Sequence, residues 1–190
     1  AGFASVVAYN PVLAVLMKPM SSEMGWSRAA ISGAMSVGSL ASGGLALLVG
    51  PMIDKRGARW VLALGVAVMG ACVIGVSQVA ALWQFYLLFG LNRAISAGVV
   101  ELAATVAVVN WFVHRRARAI GFATAGPRIG LACFPPLALL LMSLVGWRGA
   151  WLGLGVAAWA VGILPVLLFV GRRPEDFGLE ADGRRTPVRE

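Results

Sequence analysis

The sequence predicts an all-α polytopic membrane protein, a bundle of six transmembrane helices. Three observations predict it. Apolar residues make up 59% of the 190-residue chain and charged residues 13%; with a mean hydropathy of +0.84, that leaves too few charges to cover the surface of a soluble domain of this size. Six apolar runs each approach the ~20 residues that a helix needs to cross a hydrocarbon core of ~30 Å. Lys and Arg are rich in alternate connections and sparse in the others, as the positive-inside rule requires of a multi-span chain.

The runs follow one another at 2–20, 29–51, 60–80, 83–111, 119–145 and 149–171, each separated from the next by charge, Pro or Gly. Hydrocarbon offers no partner for a free backbone group, so such runs must be helices. None alternates with period two, which argues against a barrel. The first run opens at once after Ala1-Gly2-Phe3, with no initiator Met, charged leader or small-residue cleavage site. It is therefore expected not to be a signal peptide, and the chain is expected to start inside or at the edge of its first helix.

The connections set the orientation. Lys55, Arg56 and Arg59 follow the second run, Arg115, Arg116 and Arg118 follow the fourth, and Arg172 and Arg173 close the sixth. The opposite side holds only Lys18, Arg28 and Arg148. The first group is expected in the cytoplasm, which places both termini there. Trp26, Trp83 and Trp147 sit at the outer ends of runs, where interfacial indole is expected. From Arg172 the composition turns polar through Pro174-Glu175-Asp176 to Arg184-Arg185-Thr186-Pro187. Residues 172–190 hold too little apolar surface to fold alone and are read as a cytoplasmic linker.

Several function classes drop out. A net charge of +8 and a pI near 11.0 would suit a nucleic-acid binder only if the cations formed one patch beside base-reading side chains. Here they lie in short clusters between apolar runs. Cys72 and Cys133 stand inside apolar runs as small hydrophobes, and with a lone His114 they offer no metal or disulfide spacing. No cofactor or metal is expected. An intramembrane enzyme would need paired Asp, Ser with His, or a metal cluster within the bilayer; the chain has one intramembrane carboxylate and a loop His.

The connection Gly50-Pro51-Met52-Ile53-Asp54-Lys55-Arg56-Gly57-Ala58-Arg59 resembles the signature loop of the major facilitator superfamily, Gly-x-x-x-Asp-(Arg/Lys)-x-Gly-x-(Arg/Lys), at the position that family gives it. Gly57 permits a tight turn, and Asp54 sets a carboxylate beside Lys55, Arg56 and Arg59. The resemblance implies that Gly50, Asp54, Lys55, Gly57 and Arg59 form a cytoplasmic gating loop, the acidic residue latching two six-helix halves. Gly126-Pro127-Arg128-Ile129-Gly130 resembles the core of a motif found in many antiporters of the family, although Leu131 replaces a usual Gly and Gly121 is off spacing by one. Independently of that motif, Gly126 and Gly130 form a close-packing pair, and Pro127 with Pro135 and Pro136 is expected to bend the span. The tail from Arg172 to Gly183, Gly25-Trp26-Ser27-Arg28 and Phe134-Pro135-Pro136 are similar to the oxalate/formate and monocarboxylate branch. The fold so implied is one half of the major facilitator fold, its amino-terminal six helices.

Three ionic side chains fall well inside the runs: Arg93, Glu101 and Arg128. A charge at that depth costs ~2.5–3.5 kcal/mol on insertion scales and should face a partner or a water-filled cavity. Counted from the cytoplasmic ends of their runs, Glu101 and Arg128 both lie ~14–15 Å deep on adjacent antiparallel helices, so they are expected to pair. Arg93 lies two turns further out, ~80° around the helix, without an evident acidic partner. Two cations against one carboxylate leave the half-cavity positive, which an anionic substrate would balance; an Arg fork suits a carboxylate. A structural ion pair, and a snorkelling or bridging Arg93, are the alternatives. The family commonly places Gly four residues beyond an Arg near this point; here Gly98 is five beyond Arg93. Tyr9 and Asn10 precede Pro11 and are expected either to touch substrate or to satisfy carbonyls freed by the proline. Lys18 is expected to snorkel.

The sequence thus reads as part of a secondary transporter for a small organic anion such as a monocarboxylate, working by alternating access, proton-coupled or by exchange. It belongs in a bacterial inner membrane, with the lipid bilayer, an anionic solute and a carboxy-terminal six-helix half or a second copy as partners, and no nucleic acid. A non-transporting sensor or scaffold on the same fold, and a six-span membrane enzyme, are the rival readings.

Overall fold

In a computed structural model, residues 5–111 and 116–169 are described. Over these residues the chain is helical and has no strand. A 3-10 turn, Val6–Ala8, leads into α1, Asn10–Met24; then follow α2, Arg28–Arg56, and α3, Ala58–Val76. The fourth leg is α4, Leu82–Ile95, a π turn at Ser96–Glu101, and α5, Leu102–Trp111; α6, Arg116–Phe169, completes the order. Length and apolar composition let Arg28–Ile53, Ala58–Val76, Leu82–Val109 and Ala117–Ile163 cross a membrane. The last is 47 residues long, ~70 Å if straight, twice what a bilayer needs. Gly146, with φ 72° and ψ 177°, breaks it in the middle. Beyond the break Gly153 faces Leu141, a pair that a straight helix would hold ~18 Å apart and that an antiparallel hairpin brings together. Two arms therefore make up α6, one on each side of Gly146.

The ends follow from local chemistry. Tyr9 is extended (φ −95°, ψ 158°) and starts α1; Pro11 falls in the first turn, where its missing N–H costs nothing. Gly25 closes α1 at φ 68°, the left-handed conformation that glycine adopts freely. Two residues later the Ser27 hydroxyl accepts from the Ala30 N–H at 3.1 Å and starts α2. Over the described residues the first predicted run, 2–20, is thus helical on both sides of an interruption at Tyr9. The signature segment also differs from the expected loop: α2 runs on to Arg56 and α3 starts at Ala58. Gly57 alone makes the reversal, at φ 80°, and its N–H returns to the Ile53 carbonyl at 2.9 Å. The side chains of Asn10, Asp54, Arg56 and Arg116, together with residues 112–115 (His114 and Arg115 among them) and the 172–190 linker, lie outside the described residues.

Glycines set the packing. A Cβ on Gly38 would lie 2.6 Å from the Gly90 carbonyl, and one on Gly98 2.5 Å from that of Ser42. The partner numbers rise together, so α2 runs parallel to the fourth leg. α3 meets the second arm of α6 in the opposite sense: Trp159 Nε1 donates to the Ala67 carbonyl at 2.9 Å, and Gly155 abuts Ile74. Between them runs an aromatic file. Phe85 stacks on Phe89 at 5.2 Å, and Phe89 meets the edge of Trp151 at 5.9 Å; all three are fully buried. Large apolar side chains such as Leu40, Leu47, Phe122 and Leu144 point outward, as they must in lipid.

At the end carrying Trp26 and Trp147, one carboxylate gathers three connections. Glu23 accepts from Trp147 Nε1 at 2.6 Å and pairs with Arg148 at 3.3 Å. Arg148 also donates to the Ser77 and Val79 carbonyls, both at 3.1 Å, and lies over the Trp147 ring at 4.3 Å. Glu23 and Arg148 are half exposed, so the ion pair itself is worth little. The buried Trp147 makes the charge-assisted bond matter more. Glu23→Gln is expected to cost about 1 kcal/mol and lower the apparent Tm by about 2–4 °C, measured by tryptophan fluorescence in detergent. An unchanged Tm would mean that the clasp adds no stability.

Candidate functional site

The polar centre of the bundle lies where the first helix begins and the fourth leg changes pitch. The break at Tyr9 turns its ring inward between α4 and α5. The Tyr9 hydroxyl donates to a carboxylate oxygen of Glu101, and the Arg93 guanidinium lies over the face of the same ring, 5.1 Å from its centroid. Arg93 Nε donates to the Ser39 hydroxyl of α2 at 3.3 Å. Its Nη1 is buried and has no hydrogen-bond partner among the described residues. Next to it in sequence, the fully buried Asn92 has neither amide atom partnered among the described residues. Unmet polarity in a dry interior is expensive, so this is where a polar ligand or water gains most.

Beside Tyr9 and Glu101 opens a cavity of about 170 Å³, lined also by Thr105 of α5 and by Thr124 and Pro127 of α6. The hydroxyls of Thr105 and Thr124 bond to their own helix, to the carbonyls of Glu101 and Gly121 at 2.9 Å each. Their methyl groups and the proline leave the cavity wall largely apolar, with the phenol and carboxylate as its polar points. A second, open hollow runs along α2 over Ser32, Ser36 and Ser39.

Two expectations change. Glu101 and Arg128 do not pair: Glu101 is taken by Tyr9, and Arg128 is exposed on α6 while its neighbour Pro127 faces the cavity. Counting residues from a helix end gives depth and not azimuth, and one residue along a helix is 100° around it. Arg93, without an evident partner in the sequence, stacks on an aromatic ring whose hydroxyl holds the carboxylate. The serines of α2 and the ring-mediated contact went unread; the i, i+4, i+7 spacing of Ser32, Ser36 and Ser39 was the available signal. The π turn at Ser96–Glu101 accounts for the extra residue between Arg93 and Gly98. Such a turn absorbs one inserted residue without shifting the helix beyond it, and Gly98 still meets Ser42. Gly126 is half-buried and Gly130 buried. The helix stays intact across Pro127, Pro135 and Pro136, Gly146 being the one non-helical residue described within it. Lys18 and Lys55 are exposed, and Gly50 and Arg59 are half-buried.

These features define an all-α polytopic membrane protein whose paired helices enclose an ionic cluster at mid-span. The profile of the Major Facilitator Superfamily matches residues 1–190, and the chain belongs to that family. It is 30% identical over 172 residues to the “Probable L-galactonate transporter” of Escherichia coli (strain K12), covering 89% of this chain and 36% of that one. It is 31% identical over 164 residues to the oxalate:formate antiporter of Oxalobacter formigenes, covering 84% and 38%. With monocarboxylate transporter 14 of Homo sapiens it shares 30% over 152 residues, covering 76% and 30%. The chain spans about a third of the length of these relatives.

Proposed function

We propose that this chain is the amino-terminal six-helix half of a secondary transporter that moves a small organic anion, a carboxylate, by alternating access. The observation that carries the reading is Arg93: a half-buried guanidinium held by Ser39 and the Tyr9 ring, with Nη1 left unpartnered among the described residues. A guanidinium held from two sides, with one buried N–H still unpaired among the described residues, suits a carboxylate, which replaces lost hydration with paired N–H bonds. The relatives whose names specify L-galactonate, oxalate, formate and monocarboxylates support an acid as solute. Glu101 is the one carboxylate in the cavity wall and is the group to carry a proton if transport is proton-coupled. Six further helices, or a second copy, supply the other wall, and the Gly50–Arg59 segment with its single-residue turn at Gly57 gates the cytoplasmic side. The protein sits in a bacterial inner membrane with both termini cytoplasmic, and residues 172–190 link the halves.

Proteoliposomes containing the whole gene product test this directly. Uptake or counterflow of radiolabelled formate, oxalate or L-galactonate, saturable and competed by unlabelled acid, is the expected result. Saturable binding without flux would replace transport with sensing. Neither binding nor flux for any of the three would sink the anion reading.

A further inference from the structure

We infer that the cavity beside Tyr9 and Glu101 is a binding site for a small organic ammonium, a primary amine whose apolar body is no larger than a six-membered ring. The inference follows from which groups in the wall can donate a hydrogen bond and which can only accept one. The Tyr9 hydroxyl has given its proton to the Glu101 carboxylate, and Thr105 and Thr124 have given theirs to the carbonyls of Glu101 and Gly121. Pro127 has no N–H to offer. The polar side chains of the wall therefore present a carboxylate and three hydroxyl oxygens that have only lone pairs left. An ammonium is the complement of such a set, with three donors and no acceptor. A carboxylate ligand would meet a like charge and find no side-chain donor there.

Size and shape limit the rest of the ligand. The cavity volume is about 170 Å³, and an apolar cavity of about 150 Å³ holds one benzene ring. Its lining extends from Glu101 to Val108 on α5 and from Pro127 back to Ile120 on α6, ~10 Å along each helix. Glu101 and Tyr9 stand at one end, and Ala104, Val108 and Ile120 carry the wall away from them. An ammonium bonded to Glu101 thus lays its carbon body on apolar surface, the division of labour usual in small-ligand sites. Neither of the nearby cations competes for the carboxylate. Arg93 lies over the face of the Tyr9 ring and is not part of this wall, and Arg128 is exposed on α6. The ammonium site is therefore separate from the anion reading of Arg93 and does not rest on it.

The test is calorimetric titration of the whole gene product in a neutral detergent at about pH 7, where an alkyl amine is charged as lysine is. The probes share one shape and differ in charge: benzylammonium, benzyl alcohol and benzoate. Benzylammonium is expected to bind at least about tenfold tighter than benzyl alcohol, the size of a charge-assisted hydrogen bond. Benzoate, even if it binds at Arg93, should not displace benzylammonium. Glu101→Gln keeps the shape of the wall and removes its charge, so it should bring benzylammonium down to the level of benzyl alcohol. Ala104→Leu fills the cavity from α5 and should abolish binding of both. A thermal melt checks that each variant folds; should Glu101→Gln fail to fold, the charge series on the wild type and the Ala104→Leu result decide. Displacement of benzylammonium by benzoate, undiminished benzylammonium binding by folded Glu101→Gln or by Ala104→Leu, or no amine binding by the wild type would each overturn the site, and none of these bears on Arg93.

Discussion

Replacing Arg93 with Gln should raise the KM for the transported carboxylate by about one to two orders of magnitude while leaving the protein folded. The size follows from the bond that is lost. A hydrogen bond between charged partners is worth about 1.5–3 kcal/mol net, and 1.36 kcal/mol is a factor of ten. Folding should survive, because among the described residues the polar contacts of Arg93 are one bond to Ser39 at 3.3 Å and the face of Tyr9. Arg93→Lys keeps the charge but loses the planar fork, so it should fall between the wild type and Gln. The measurement is initial-rate uptake against substrate concentration, beside a thermal melt. Uptake by Arg93→Gln with wild-type KM would reduce Arg93 to a bridge between α2 and α4.

The second large effect is on assembly. Gly98→Ala puts a methyl carbon 2.5 Å from the Ser42 carbonyl oxygen and 3.1 Å from Leu45 Cβ. A backbone oxygen inside a helix has no room to give, so α2 and the π turn must separate. Overpacking of this kind costs about 1–3 kcal/mol or more, and a fall in apparent Tm of roughly 5–10 °C with lower membrane yield is expected. Gly43, the next residue along the same helix from Ser42, has open space where its Cβ would stand. Gly43→Ala should be neutral or gain the ~0.5–1 kcal/mol of helix propensity that glycine forgoes. Equal melts for Gly98→Ala and the wild type would contradict the contact between α2 and the fourth leg.

Much of the architecture was legible because a bilayer restricts the choices. A run of some 20 apolar residues must be a helix, and Gly25, Gly57 and Gly146, the three positive-φ residues among those described, punctuate the runs near where composition ends them. The site was legible in its members and not in its pairing. Arg93, Glu101 and Tyr9 stand out as polar residues in apolar runs, since each needs a reason to be there. Their partners depended on azimuth, and three features hid that: the extended residue at Tyr9, the wider π turn at Ser96–Glu101, and the presentation of Pro127 instead of Arg128 to the cavity. Each is a local change of pitch that hydropathy, a sum over residues, does not register.

The sequence by itself determined that the chain is a set of apolar helices with few buried charges, and the Gly50–Arg59 segment pointed to its family. Both are properties of composition and of short spacings along the chain, fixed by the cost of placing backbone and charge in hydrocarbon. The tertiary structure decided which charge meets which: Tyr9, more than 80 residues from Arg93 and Glu101 in sequence, lies between them, and Arg128 stands apart. That choice belongs to packing. Glycine contacts among α2, α3 and the fourth leg set how each helix is rotated about its axis, and rotation determines which side chains share a dry interior.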